Sequence, residues 1–121
     1  MLGFGSIGQG VLPLILRHIA MPRDNITIVT AEPRGREGAA EYGIRFVERA
    51  ITRGNGHEVL LPLLGKGDFL LNLSVDVSSV AMVEIATECG ALYLDTCVEP
   101  WAGGYTDATL IKSLEAEGIG R

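Results

Sequence analysis

Two cysteines, one tryptophan and 6% aromatic residues in a chain of 121 are its scarcest components, and each scarcity excludes something. Cys89 and Cys97 alone can neither staple a small secreted scaffold nor complete a cysteine-rich zinc site. Both thiols are therefore expected to act as small core side chains in a reducing, cytoplasmic setting, with no metal bound. Long apolar runs are also missing. The stretch from Val11 to Leu16 contains Pro13 and stops at Arg17, and the one from Phe69 to Ala86 is broken by Asn72, Asp76 and Glu84, so neither can span a bilayer and no membrane partner is expected. Positive charge is in short supply, with ten Lys and Arg against fifteen Asp and Glu, a net charge of −5 and a pI near 4.9. That balance argues against nucleic acid as a partner. The first residues, Met-Leu-Gly-Phe-Gly, have no basic region ahead of an apolar one, so no secretory signal is expected.

What is present points to a folded domain. Hydrophobic residues make up 47% and the mean hydropathy is +0.28, enough for a core but, at this length, for one domain at most. The apolar positions Ile7, Val11, Leu14 and Ile15 recur at helical spacing and predict a helix from Gly5 to Ile19 with that face buried, kinked or tightened at Pro13. Strands are expected at Asn25–Thr30, Ile44–Glu48, Asp68–Leu73 and Ala91–Asp95, and helices at Gly35–Tyr42, Asn55–Leu64 and from Ser78 or Ser79 to Cys89 with Val80, Val83 and Ala86 inward. The strand at Asp68–Leu73 is apolar almost throughout, as for a parallel strand covered on both faces. Alternating strands and helices without a repeat or linker predict an α/β fold, a Rossmann-like doubly wound parallel sheet. Ligands bind such sheets beyond the carboxyl ends of the strands, which here means near Thr30, Asn72 and Asp95–Thr96.

Glycine, at 16 residues, is abundant and clusters at the start. Gly3-Phe4-Gly5-Ser6-Ile7-Gly8 has the spacing of a dinucleotide-binding loop: the first glycine permits a tight turn, the second lets a pyrophosphate approach the backbone, and the third lets helix and sheet pack closely. The helix that opens here offers free N–H groups and a partial positive charge to phosphate. Glu32 stands at about the offset expected of a ribose-binding acid. A methyltransferase loop or a ligand-free glycine turn has the same local look. Only Met1 and Leu2 precede Gly3, so the first, central strand is expected to be missing and the sheet incomplete. Polar runs follow the later strands, Asn72-Leu73-Ser74-Val75-Asp76 and Asp95-Thr96-Cys97-Val98-Glu99-Pro100-Trp101. Asp76 reads equally as a helix cap. Glu99 beside the Trp101 indole suits an organic ammonium, and no arginine lies close along the chain to meet a substrate carboxylate.

Three segments carry a family resemblance: GFGSIGQG with LPLILRH (residues 3–18), GDFLLNLSVDVSS (67–79) and GALYLDTCVEPW (90–101). Together they resemble the N-terminal part of bacterial homospermidine synthases, relatives of saccharopine dehydrogenase. The resemblance implies an NAD-dependent enzyme that oxidises putrescine to an imine with loss of ammonia, joins a second diamine and reduces the product to homospermidine. It implies that Gly3, Gly5, Ser6, Ile7 and Gly8 hold the pyrophosphate and that the Asn72–Asp76 loop, with Ser74, borders the nicotinamide ribose. Thr30, Glu32 and Thr96 join them at the strand ends. Glu99 anchors a substrate ammonium, and Asp76 is the second candidate for catalysis. The expected organisation is a partial dinucleotide-binding domain over residues 1–108 and a divergent tail over 109–121, with the catalytic domain absent, this portion inactive alone, and a homodimer allowed for the whole protein. An amino-acid oxidoreductase of the saccharopine dehydrogenase type and a non-enzymatic nucleotide-binding module are the competing readings.

Overall fold

A computed structural model describes residues 1–104. The expected tail at 109–121 lies outside the described residues. Helix α1 (Ser6–His18) is followed by β1 (Thr27–Thr30), α2 (Arg36–Glu41), β2 (Arg45–Glu48), α3 (Gly56–Leu60), β3 (Phe69–Asn72), α4 (Ser79–Cys89) and β4 (Leu92–Asp95). Each element falls inside its predicted span. Helix α3 is short because Pro62 cannot supply a helical N–H, and a 3-10 turn, Leu61–Leu63, completes the segment. Asn55 sets its start: its side-chain oxygen accepts from the Thr52 N–H and its amide donates to the Ala50 carbonyl, both at 2.8 Å.

Strand β1 pairs in parallel with β2, and β3 with β4. The central position between the two pairs is held by one residue: Leu2 bridges both Val29 and Asn72 in parallel sense, giving the order β2–β1–Leu2–β3–β4. Leu2 thus stands at the central position expected of the first strand. The bonds there are short: Leu2 N–H to Leu71 O, Leu73 N–H to Leu2 O and Gly3 N–H to Val29 O, each 2.8 Å. The order reverses at Leu2, so this is the switch point where a doubly wound sheet opens a crevice for ligands.

Two cores form, one on each side of the sheet. Phe4, Leu12, Ile26, Ile28, Ala39 and Ile44 bring α1 and α2 onto β1 and β2. Leu2, Val29, Leu60, Leu70, Met82 and Ile85 bring α3 and α4 onto the other face. Four burial expectations are corrected. Helix α1 runs unbroken through Pro13 and buries Gly8 and Leu12, while Ile7 and Leu14 are exposed. Helix α4 buries Ser79, Met82, Ile85 and Ala86, and Val80 and Val83 face outward. Strands β3 and β4 are covered on one face only, leaving Phe69, Leu92 and Leu94 exposed. Cys89 is half-buried, but Cys97 is exposed and is no core side chain.

The Met1 ammonium donates to the Thr27 carbonyl at 2.7 Å inside this packing, and desolvation lowers its pKa from 8.0 to about 6. In the unfolded chain the group keeps its proton up to about pH 8, so between pH 6 and 8 the unfolded state binds more protons than the folded one. Stability of a chain starting at Met1 should therefore rise over that window, by about 2–3 kcal/mol at ~1.36 kcal/mol per unit. Urea melts at pH 6 and pH 8 check this, and an N-acetylated chain should lack the rise.

Candidate functional site

The loop between Leu2 and α1 shows three glycines with three different surroundings. Gly3 has φ +86°, and a Cβ there would lie 2.7 Å from both Cα and N of Ser74. Its bareness lets the loop press against the end of β3. A Cβ on Gly8 would lie 2.9 Å from the Gly3 carbonyl oxygen and 3.3 Å from the Phe4 ring, so this glycine sets how closely α1 meets the sheet. A Cβ on Gly5 would meet nothing within 4 Å. The protein's own packing makes no demand for glycine there.

Gly5 is also the N-cap residue of α1, and no side chain caps the helix. The N–H groups of the first turn thus point into open space beside Gly5, as a phosphate site requires. Ile7, exposed rather than buried, stands on the rim of this space. Gln9 ties the helix to the loop by donating to the Phe4 carbonyl at 3.1 Å, and it lines an open hollow of about 500 Å³ with Pro33, Gly35 and Arg36. That hollow adjoins the segment after β1 that carries Glu32. Thr30 is fixed by its carbonyl, which accepts from Arg49 N–H at 2.7 Å. Glu32 is exposed.

Across the switch point, β3 ends in Asn72, which is buried and bonds through both its amide oxygen and its amide nitrogen. Its oxygen accepts from the Ser74 N–H at 3.1 Å and from the Ser74 hydroxyl. Its nitrogen donates to the Tyr93 hydroxyl at 3.0 Å, and that hydroxyl donates to Asp95 Oδ2 at 2.8 Å. Burial first, and then the Asp95 carboxylate against the opposing Asn72 bond, raises the Tyr93 pKa above its ordinary value. The phenol thus stays a donor. Asn72 acts here by shaping the Ser74 loop. Asp76 has φ +62°, a costly conformation for a side-chain-bearing residue that tends to be kept at working sites. It does not cap α4, because Ser78 does so, accepting from the Ala81 N–H at 3.2 Å.

Beyond β4, Thr96, Cys97 and Glu99 follow on one loop. The Cys97 thiol is held above its ordinary pKa by desolvation, then by the Glu99 and Asp95 carboxylates. The Arg53 guanidinium lies over the Trp101 ring, 5.9 Å from its centre. Spacing along the chain hid this arginine, which arrives from the segment after β2. With Arg53, His57 and Glu84, Trp101 lines a cavity of about 260 Å³ on the α3–α4 side. His57 meets Glu88 at 3.1 Å on the surface. Among the described residues no group of His, Cys, Asp and Glu side chains is placed to share a metal ion, and no helix is long and apolar enough to cross a membrane.

The structure thus gathers the glycine loop, the Asn72–Asp76 loop and the Asp95–Glu99 loop at the carboxyl ends of the strands. Sequence reasoning missed Tyr93 and Ser79, polar groups inside apolar segments whose only signal was their position on otherwise buried faces.

Residues 1–116 match the family model described as the saccharopine dehydrogenase NADP binding domain. The chain is 50% identical over 113 residues to a homospermidine synthase of Blastochloris viridis, covering 91% of this chain and 24% of that protein. It is 45% identical over 111 residues to one of Mesorhizobium japonicum, covering 89% and 23%. Among solved structures, the homospermidine synthase of Legionella pneumophila in complex with NAD is similar with a TM-score of 0.80 and 25% identity, over 99% of this chain and 34% of that one. The chain spans about a quarter of the length of the curated relatives it matches.

Proposed function

Because the chain belongs to the saccharopine dehydrogenase NADP-binding domain family, we propose that it is the NAD-binding portion of a homospermidine synthase acting on putrescine or a related diamine. The observation that carries the cofactor reading is Gly5, whose Cβ position is open, beside the uncapped first turn of α1. The residues fit the group: Gly3, Gly5, Ser6, Ile7 and Gly8 would hold the pyrophosphate, Thr30 and Glu32 the adenosine ribose, and Ser74, Asp76 and Thr96 would border the nicotinamide end. The bound dinucleotide supplies hydride acceptance and return, leaving no net redox change.

The remaining work falls to the chain's own side chains. Glu99 attracts one ammonium of the diamine, with Asp95 adding negative charge nearby. Asp76, with its backbone at φ +62°, would exchange a proton with a substrate nitrogen. These loops form one wall of a cleft, and positioning of both reactants, worth roughly 7–11 kcal/mol in favourable cases, needs an opposing wall. The chain alone is accordingly expected to form no homospermidine from NAD and putrescine. Grafted in place of the matching segment of a related homospermidine synthase, it should support product formation, and Glu99→Gln should then lower kcat/KM about tenfold or more, as loss of a charge-assisted contact of ~1.5–3 kcal/mol requires. An unchanged kcat/KM removes Glu99 from the substrate site. The guanidinium of Arg53 over Trp101 favours one second reading, an amino-acid substrate whose carboxylate it would meet. Turnover of amino acids but not diamines by the graft would select it.

A further inference from the structure

Consecutive serines open α4, and only the first acts on the helix. Ser78 accepts from the Ala81 N–H, which completes the cap. Ser79 is 5% exposed, and its side chain turns away from its own helix to the loop after β4. Its hydroxyl donates to the Cys97 carbonyl at 3.2 Å and accepts from the Glu99 N–H at 2.9 Å. Its backbone N–H, one of the groups a helix start leaves free, donates to the Glu99 carbonyl at 2.9 Å. Three bonds from one residue thus fix the backbone on both sides of Val98. A hydroxyl is the group this needs, since it gives and takes at the same atom.

Ser79 also lies two residues beyond the Ser74–Val77 loop, whose start is held by Asn72. The loop bordering the nicotinamide and the loop carrying the amine anchor are therefore cross-linked twice, through Asn72–Tyr93–Asp95 and through Ser79–Cys97/Glu99. We infer that Ser79 is a positioning residue that sets where the Glu99 carboxylate stands relative to the cofactor loop. This inference rests on Glu99 as the ammonium anchor. It needs no contact between Ser79 and either ligand.

Hydrogen exchange on the chain gives the first reading. In the wild type the Glu99 amide should exchange at least about tenfold more slowly than an open loop amide, and Ser79→Ala should remove most of that protection while Ser79→Thr, which keeps the hydroxyl, restores it. In the grafted enzyme Ser79→Ala should raise KM for putrescine about tenfold, the equivalent of one net hydrogen bond, with NAD affinity and kcat within about twofold. An unprotected Glu99 amide in the wild type overturns the inference even if the alanine variant does not fold. So does an unchanged KM for Ser79→Ala when Glu99→Gln raises it. If Glu99→Gln itself changes nothing, the anchor reading falls, and the inference with it.

Discussion

Gly3→Ala should lower the melting temperature by at least roughly 10 °C. The substitution asks an L-residue to hold φ +86°, which costs about 1–2 kcal/mol. Its methyl would also sit 2.7 Å from Ser74 Cα and N and 2.9 Å from the Leu73 carbonyl carbon. These are backbone atoms, so no rotamer change relieves the overlap, and crowding of this kind costs about 1–3 kcal/mol more. Relief would have to come from moving the loop away from β3, against the 2.8 Å bond from Leu73 N–H to the Leu2 carbonyl that helps join the two strand pairs. A loss of ~2–5 kcal/mol is a large fraction of a small domain's stability, and each kcal/mol shifts the midpoint by about 4–8 °C at this size. Thermal melts followed by circular dichroism check it. A midpoint within about 2 °C of the wild type would mean that the glycine loop does not rest on the end of β3.

Element order was legible because turn chemistry and β-branched runs are local signals, and every strand and α-helix lies within its expected span. Helix rotation was not. Residues 11–16 are apolar on all sides, so periodicity could not choose a face, and the choice was made by contact: Gly8 is the position that tolerates the 2.9 Å approach to the Gly3 carbonyl, and it carries Leu12 inward with it. In α4 the inward stripe contains Ser79, which a hydrophobicity pattern reads as outward. It is buried because the loop after β4 satisfies it. The exposed face of Phe69, Leu92 and Leu94 could not be foreseen either. An apolar strand states that it can be covered on both faces, and which helices cover it is decided by topology.

The glycine motif was visible at once, but spacing assigns the same status to all its glycines. Their surroundings separate them. Gly3 and Gly8 are demanded by packing, whereas Gly5 is bare without any protein neighbour to require it. Adjacency along the chain offered Glu99 and Trp101 as a pair but could not show Arg53, distant in sequence, which lies over the indole.

Gly5→Val therefore separates a ligand requirement from a folding requirement. Valine at Gly5 meets no protein atom within 4 Å at its Cβ, and the N-cap backbone, φ −77° and ψ −154°, is extended with a negative φ, so no left-handed conformation stands in its way. The fold should tolerate it, with a melting midpoint within about 3 °C of the wild type, as expected of an exposed substitution. The same side chain stands where the pyrophosphate must approach the first N–H groups of α1, and each charge-assisted bond lost there costs about 1.5–3 kcal/mol. Titration calorimetry of NAD into the wild type and the Gly5→Val variant, with thermal melts of both, is the most direct measurement. The account predicts binding by the wild type and a loss of at least about 100-fold in the variant, the equivalent of ~2.7 kcal/mol, at unchanged stability. Equal NAD affinity in the two proteins would contradict it.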